Sequence, residues 1–198
     1  QIIEICQRYH IPVVEDAAEA LGSLYKGQHA GTFGDLGILS FNGNKPVTTG
    51  GGGMIITNDE THAAKAKHLT TTAKKPHPWE FVHDDVGYNY RMPNINAAVG
   101  CAQMECFAGV LENKRTTAQM YDQFFQDMGI PFITEPAHAR SNYWLNAVTL
   151  PDRKIRDEFL KATNEAGVMT RPIWRLLNKL EMYKGCQTDA LENAQWLE

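Results

Sequence analysis

Gly37-Ile38-Leu39-Ser40-Phe41-Asn42-Gly43-Asn44-Lys45-Pro46-Val47-Thr48-Thr49-Gly50-Gly51-Gly52-Gly53 is the stretch on which the reading of this chain turns. Ile38, Leu39 and Phe41 make an apolar, strand-like run that delivers a serine, an asparagine and a lysine before four consecutive glycines. Glycine lets backbone approach another group closely or take positive φ, at an entropic cost that surface loops seldom need. A lysine between such a strand and such a loop reads in two ways. It is a desolvated amine suited to Schiff-base chemistry, or a solvated lysine on a flexible turn.

Upstream, residues 1–9 carry the end of an amphipathic helix (Ile2, Ile3, Ile5, Cys6, Tyr9), broken at His10-Ile11-Pro12. Pro12 to Asp16 then reads as a short buried strand, and helix–turn–strand order is half of a parallel α/β unit. Ligands of such sheets lie beyond the carboxyl ends of the strands, which puts Asp16 at a chemical position. Taken alone, Asp16 reads first as the N-cap of a following helix. Ser23 to Gly34 is turn-rich and predicts a hairpin, Asp35 to Phe41 the next strand, and Lys45, before Pro46, a loop or extended turn.

Downstream, Met54 to Thr57 predicts a strand, and Asn58-Asp59-Glu60 caps a helix through Thr70. Residues 71–86 are polar and irregular. His62, His68, His77 and His83 form no metal-ligand spacing and are expected at the surface, with no bound metal. After Gly87-Tyr88-Asn89-Tyr90-Arg91-Met92-Pro93, a helical pattern runs from Asn94 to about Met128, with a bend or break expected near Gly109. Asn142 to Leu150 predicts a strand, Asp152 to Ala166 an amphipathic helix closed by Gly167, and Val168 to Thr170 a further strand. Arg171-Pro172-Ile173-Trp174 follows, either as packing with a surface arginine or as part of a site.

The 198 residues, 43% hydrophobic and 21% charged, suit a globular protein of one large domain or a domain and a half. A net charge of −4 with scattered basic residues gives no nucleic-acid signature. No apolar run is long enough to span a bilayer. Cys6, Cys101, Cys106 and Cys186 form no CxxC pair, and a reduced, cytoplasmic setting is expected. Gln1 enters directly into a helical pattern and Trp196-Leu197-Glu198 stops inside another, so a piece of a longer protein is expected.

Four motifs in order, Glu15-Asp16-Ala17-Ala18-Glu19-Ala20-Leu21-Gly22, Ser40-Phe41-Asn42-Gly43-Asn44-Lys45, Thr48-Thr49-Gly50-Gly51-Gly52-Gly53-Met54 and Gly87-Tyr88-Asn89-Tyr90-Arg91-Met92-Pro93, closely resemble those of DegT/StrS-type nucleotide-sugar aminotransferases. The resemblance spans nearly the whole chain. It implies an α/β, fold type I (aspartate-aminotransferase-like) scaffold using pyridoxal 5'-phosphate. Residues 1–108 would be the C-terminal part of the large cofactor-binding domain, with a mixed, mostly parallel sheet. Residues 109–198 would be a linking helix and an incomplete, smaller α+β domain.

By the same resemblance, Lys45 is the lysine that carries the cofactor and shuttles the proton, and Asp16 pairs with the ring nitrogen. Ser40 and Asn42 belong to the cofactor site, and Glu19 stands where many members carry Gln or His near the ring. Asn89 would reach the phosphate bound by a neighbouring subunit, which implies a homodimer with shared active sites. Tyr88, Arg91, Arg171 and Trp174 would shape the sugar-nucleotide site. The implied reaction moves an amino group from glutamate to a UDP- or GDP-linked 4-keto-6-deoxy sugar, in surface-polysaccharide or nonulosonic-acid synthesis.

Two departures stand out: Pro46 follows the lysine, and the family's N-terminal part, which grips the phosphate and stacks on the ring, has no counterpart here. A chain without that part is expected to fold poorly and to lack catalysis of its own. Dehydratases of the family carry His in place of the lysine, so Lys45 favours transamination. A nucleotide-binding module and an inactive remnant are the other readings. The order Gly43-Asn44-Lys45 without a following Ser or Thr does not make a P-loop.

Overall fold

The computed structural model describes residues 1–198. It comprises two compact units, Gln1–Tyr121 with Thr134–Asn146, and Asp122–Ile133 with Ala147–Glu198. Residues 134–146, beyond the boundary expected at 108/109, thus group with the first unit.

The first unit opens with helix α1 (Ile2–Arg8) and strand β1 (Val14–Asp16). A hairpin of β2 (Leu24–Tyr25) and β3 (Gln28–His29) follows, then β4 (Leu36–Ser40) and β5 (Gly53–Ile56). β4 is the central strand: parallel to β1 (Asp16 opposite Ile38) and antiparallel to β5 (Ser40 opposite Gly53). The sheet is therefore mixed, with one ladder of each kind rather than mostly parallel. The parallel pair sets the carboxyl ends of β1 and β4, and with them Asp16 and Ser40, at one end of the sheet.

Ala17, Leu39, Phe41 and Val47 are buried together, with Leu21, Met92 and Phe107 packed against them. Side chains of the size of Leu39 and Phe41 contribute about 1.5–3 kcal/mol each on burial. The core thus sits on both sides of Lys45 in the sequence and fixes the loop that carries it. Ile38, Met54 and Ile55 instead face an open groove of about 960 Å³ bordered by Tyr90 and Arg91.

Helix α2 (Glu60–Thr70) starts where expected, with the Asp59 carboxylate accepting from the His62 N–H at 2.7 Å. Helix α3 (Asn94–Asp127) runs unbroken for 34 residues. The break expected at Gly109 does not occur, because one interior glycine costs only about 1 kcal/mol, which the residues around it outweigh. No helix is long and apolar enough to cross a membrane.

The predicted strand at 142–150 is absent. Tyr143 takes a left-handed φ of 45°, which ends extended structure, and Asn142 satisfies backbone carbonyls with its side chain. The short strand β6 (Ala139–Arg140) forms just before it and pairs with β2, Leu24 opposite Arg140, so the second sheet runs β3-β2-β6.

In the second unit, Phe132 and Val148 form an isolated bridge, and helix α4 (Arg153–Glu165) is capped by Asp152 accepting from the Ile155 N–H at 2.9 Å. Gly167 closes it with φ 81°. The strand predicted at 168–170 does not form, as Thr170 instead hydrogen-bonds back to Thr163 on α4, Oγ1 to Oγ1 at 2.5 Å. Two 3-10 turns (Leu177–Lys179 and Glu181–Tyr183) and helix α5 (Glu192–Leu197) complete this unit.

Candidate active site around Lys45

Lys45 lies in a turn whose backbone is tied down on every side. Its own N–H donates to the Asn42 carbonyl at 3.1 Å. The Phe41 N–H donates to the Gly52 carbonyl, and the Thr49 N–H to that of Phe41, both at 3.0 Å. Helix α3 secures the rest: Gln103 Oε1 accepts from the Thr48 N–H at 2.8 Å, and Asn96 Nδ2 donates to the Thr49 carbonyl at 2.5 Å. Gly50 and Gly52 sit at φ 78° and 100°, so the glycine run serves the turn itself. The lysine is thereby presented by a rigid loop and not a flexible one.

The Lys45 side chain is only 8% exposed. Its Nζ donates to Glu19 Oε1 at 2.8 Å and lies 4.0 Å from the ring centre of Trp144. Asp16 ends β1 and is exposed, its Oδ1 accepting from the Ala18 N–H at 3.1 Å. No helix follows Asp16, so the N-cap alternative is excluded and its carboxylate remains open to a ligand. Ser40 ends β4 and accepts from the Asn42 N–H at 3.3 Å, while the Asn42 side chain is exposed. Asp16, Glu19, Ser40, Asn42 and Lys45 are therefore gathered at one end of one sheet.

Tyr88, Asn89 and Arg91 lie on a separate segment pinned to the end of α2. The Tyr88 N–H donates to the Leu69 carbonyl at 2.7 Å, the Tyr90 N–H to that of Thr70 at 3.0 Å, and Asn89 bridges Thr71. Tyr88 and Tyr90 stack at 5.2 Å, all three candidates are exposed, and Arg91 opens onto the groove beside β5. Arg171 and Trp174 belong to the second unit, where both are exposed and Arg171 Nη2 approaches the Met169 sulfur at 3.8 Å.

Several residues that matter to this site are given no role by the motifs, although Glu15 opens one of them. Glu15 accepts from the N–H groups of Gly31 (2.8 Å), Phe33 (2.6 Å) and Gly34 (2.6 Å), folding the 31–34 turn against β1. Asn142, 3% exposed, donates through Nδ2 to the carbonyls of Glu19 (2.7 Å) and Leu21 (3.0 Å). Trp144 donates from Nε1 to the Asn44 carbonyl at 2.7 Å. Asn142 and Asn146 on either side of Trp144, breaking an otherwise apolar run, are the available signal, since a packed indole N–H needs an acceptor. Reading 142–150 as a strand hid it.

A buried amine held by a carboxylate is a candidate nucleophile, and an open carboxylate can accept a ligand N–H. The donor set at this end of the sheet fits pyridoxal phosphate: an amine, a carboxylate for a ring N–H, and Ser40 for the phosphate.

The family model for the DegT/DnrJ/EryC1/StrS aminotransferase family matches residues 1–198. EpsN of Bacillus subtilis (strain 168) is 40% identical over 184 residues, covering 92% of this chain and 47% of EpsN. The GDP-perosamine synthase of Escherichia coli O157:H7 is 36% identical over 183 residues, 92% of this chain and 50% of that one. Among solved structures, the aminotransferase TlmJ from Streptoalloteichus hindustanus superposes with a TM-score of 0.91 at 28% identity, covering 99% of this chain and 53% of TlmJ. The chain spans about half the length of the relatives it matches.

Proposed function

The chain belongs to the DegT/DnrJ/EryC1/StrS aminotransferase family, and from that premise we propose that it carries the lysine centre of a pyridoxal-phosphate-dependent nucleotide-sugar transaminase. The reaction moves an amino group from glutamate to the keto carbon of a UDP- or GDP-linked 4-keto-6-deoxy sugar, in surface-polysaccharide or nonulosonic-acid synthesis. The observation that carries the reading is the Lys45 amine, enclosed between Glu19 and Trp144 at the carboxyl end of the β1–β4 pair. The name of the GDP-perosamine synthase it resembles supports a sugar nucleotide as substrate.

When bound, pyridoxal phosphate supplies an electron sink for the pair left behind as a proton leaves the amino-bearing carbon. The chain's own residues do the rest. Lys45 Nζ would hold the cofactor at its aldehyde carbon, water being the group lost, and as a free amine would carry the proton between the two carbons. Asp16 would hold the ring nitrogen, and Ser40, with Asn42 beside it, would hold the phosphate. Glu19 orients Nζ by the 2.8 Å hydrogen bond that it accepts. Tyr88, Arg91, Arg171 and Trp174 bind the sugar nucleotide. The exposed Asn89 serves the phosphate of a second subunit, which makes the protein a homodimer with shared sites. A cytoplasmic location goes with this reading.

The test is the visible absorption spectrum of the purified full-length protein with added pyridoxal phosphate, for wild type and Lys45→Ala. A lysine-dependent band that bleaches with glutamate is expected. Identical spectra for the two proteins would overturn the assignment and leave a sugar-nucleotide binding module.

A further inference from the structure

Lys45 is held by a second segment of the chain that no motif announces. Residues 134–146 lie after α3 in sequence but fold into the first unit. Their outer end is anchored on α3: Arg115 donates from Nη1 to Glu135 Oε2 at 2.8 Å and from Nη2 to Oε1 at 2.9 Å. Arg115 Nη1 also reaches the Ser141 carbonyl at 2.6 Å, and Glu135 Oε2 accepts from the Ser141 N–H at 2.6 Å. The hydroxyl of Tyr143 accepts from the Glu135 N–H at 3.1 Å, and Arg115 stands 5.6 Å from its ring.

The inner end is as firmly fixed. The Asn142 N–H donates to Ser23 Oγ at 3.0 Å, its Nδ2 spans the Glu19 and Leu21 carbonyls, and its Oδ1 accepts from the Trp144 N–H at 2.9 Å. Between the two ends Tyr143 is kept at φ 45°, a conformation a bulky residue holds only where its surroundings over-determine it. The outcome of that strain is the placing of one indole. Trp144 lies against Nζ of Lys45 and bonds to the carbonyl of Asn44, the residue before the lysine. The same asparagine that aims Trp144 also grips the backbone of Glu19, the lysine's other partner.

We infer that residues 134–146 are a positioning strap for the Lys45 amine, with Trp144 as the residue that orients Nζ and the Arg115–Glu135 pair as its remote anchor. The indole lies against Nζ on one side and Glu19 bonds it on another, which narrows the directions in which Nζ can point. A side chain of four rotatable bonds is thereby held near one geometry, which is what attack on a carbonyl carbon needs. This inference rests on the proposed function only for its consequence in catalysis, and the placement itself is tested without any cofactor.

The experiment uses protein labelled with 13Cε-lysine, with the Lys45 resonance assigned by its loss in Lys45→Arg. The ring current of Trp144 is expected to move the Lys45 Hε protons upfield of the other lysines. Trp144→Leu returns them to the range of a solvated lysine, and Trp144→Phe keeps a smaller displacement of the same sign. An undisplaced Lys45 resonance in the wild type, or a displacement that survives Trp144→Leu, overturns the inference. With pyridoxal phosphate added, the second-order rate constant for appearance of the lysine-dependent band falls about 10- to 100-fold in Trp144→Leu and is largely rescued in Trp144→Phe. If the wild type shows the displaced resonance but no band, the strap stands and the transaminase reading fails.

Discussion

Arg115 on α3 and Glu135 in the segment that follows it join through two parallel hydrogen bonds of 2.8 and 2.9 Å, a fork that makes stability sensitive to acid. The guanidinium holds the Glu135 carboxyl at about 2, against an ordinary value of 4.5, and the carboxylate in turn raises Arg115. A carboxyl whose pKa is depressed on folding contributes stability that is complete above its unfolded pKa and is lost as pH falls toward the folded one. The expected signature is a loss of unfolding free energy between pH 4.5 and about 2 that is smaller in Glu135→Gln. At pH 7 the same substitution is expected to cost about 1–3 kcal/mol, as it breaks a charged fork in a half-buried place. Urea unfolding at several pH values checks both, and equal acid slopes in the two proteins would refute that role of the fork.

Asn142 makes a sharper case, because its amide donates to two carbonyls while 3% exposed. Asn142→Asp preserves size and replaces two donors by a carboxylate aimed at the Glu19 and Leu21 oxygens. A loss of about 2–4 kcal/mol is expected at neutral pH, partly recovered in acid as the new carboxyl takes up a proton. Melting temperatures across pH 4–8 decide it: a variant as stable as wild type throughout would show that the amide is not a buried donor.

Much of the fold could be read from the residues, and the exceptions share one cause. α2 starts at Asp59 and α4 at Asp152 as their caps require, and the lysine turn falls between the two strands that frame it. These are local signals. The strand expected at 142–150 is apolar enough (Tyr143, Trp144, Leu145, Ala147, Val148), but partners a hundred residues or more away decide its shape. Asn142 binds Ser23, Glu19 and Leu21, and Trp144 binds Asn44. Lys45 and Glu19 illustrate the same divide. Each stands in a motif legible by itself, yet only the parallel pairing of β1 with β4 shows how they come within 2.8 Å.

Glu15 is expected to matter to stability as much as any residue of the proposed site. Its carboxylate receives three backbone N–H groups of the 31–34 turn, and hydrogen bonds to a charged acceptor are worth about 1.5–3 kcal/mol each when removal leaves donors unmet. Glu15→Gln keeps an oxygen for one or two of them and is expected to lose about 2–3 kcal/mol. Amide hydrogen exchange at Gly31, Phe33 and Gly34 should quicken selectively. Unchanged protection at those three amides would show that the turn holds itself without the carboxylate.

The four glycines after Lys45 should respond unequally to alanine, which separates a demand of the fold from a demand of a ligand. A Cβ on Gly51 would meet nothing within 4 Å, and its φ lies outside the left-handed region, so Gly51→Ala is expected to be neutral within about 0.5 kcal/mol. Gly50, at φ 78° with only Asn96 Nδ2 near the new atom (3.8 Å), bears backbone strain alone, about 1 kcal/mol. Gly53→Ala sets a methyl 2.5 Å from the Leu39 carbonyl inside the β4–β5 ladder. Either the ladder opens or Leu39 shifts in the core, and a loss of about 2–4 kcal/mol follows. The order of melting temperatures should be Gly51→Ala above Gly50→Ala above Gly53→Ala. If Gly51→Ala instead keeps its stability but loses the lysine-dependent band with pyridoxal phosphate, Gly51 lies where the cofactor comes closest to the backbone; if both are retained, the run exists to make the turn.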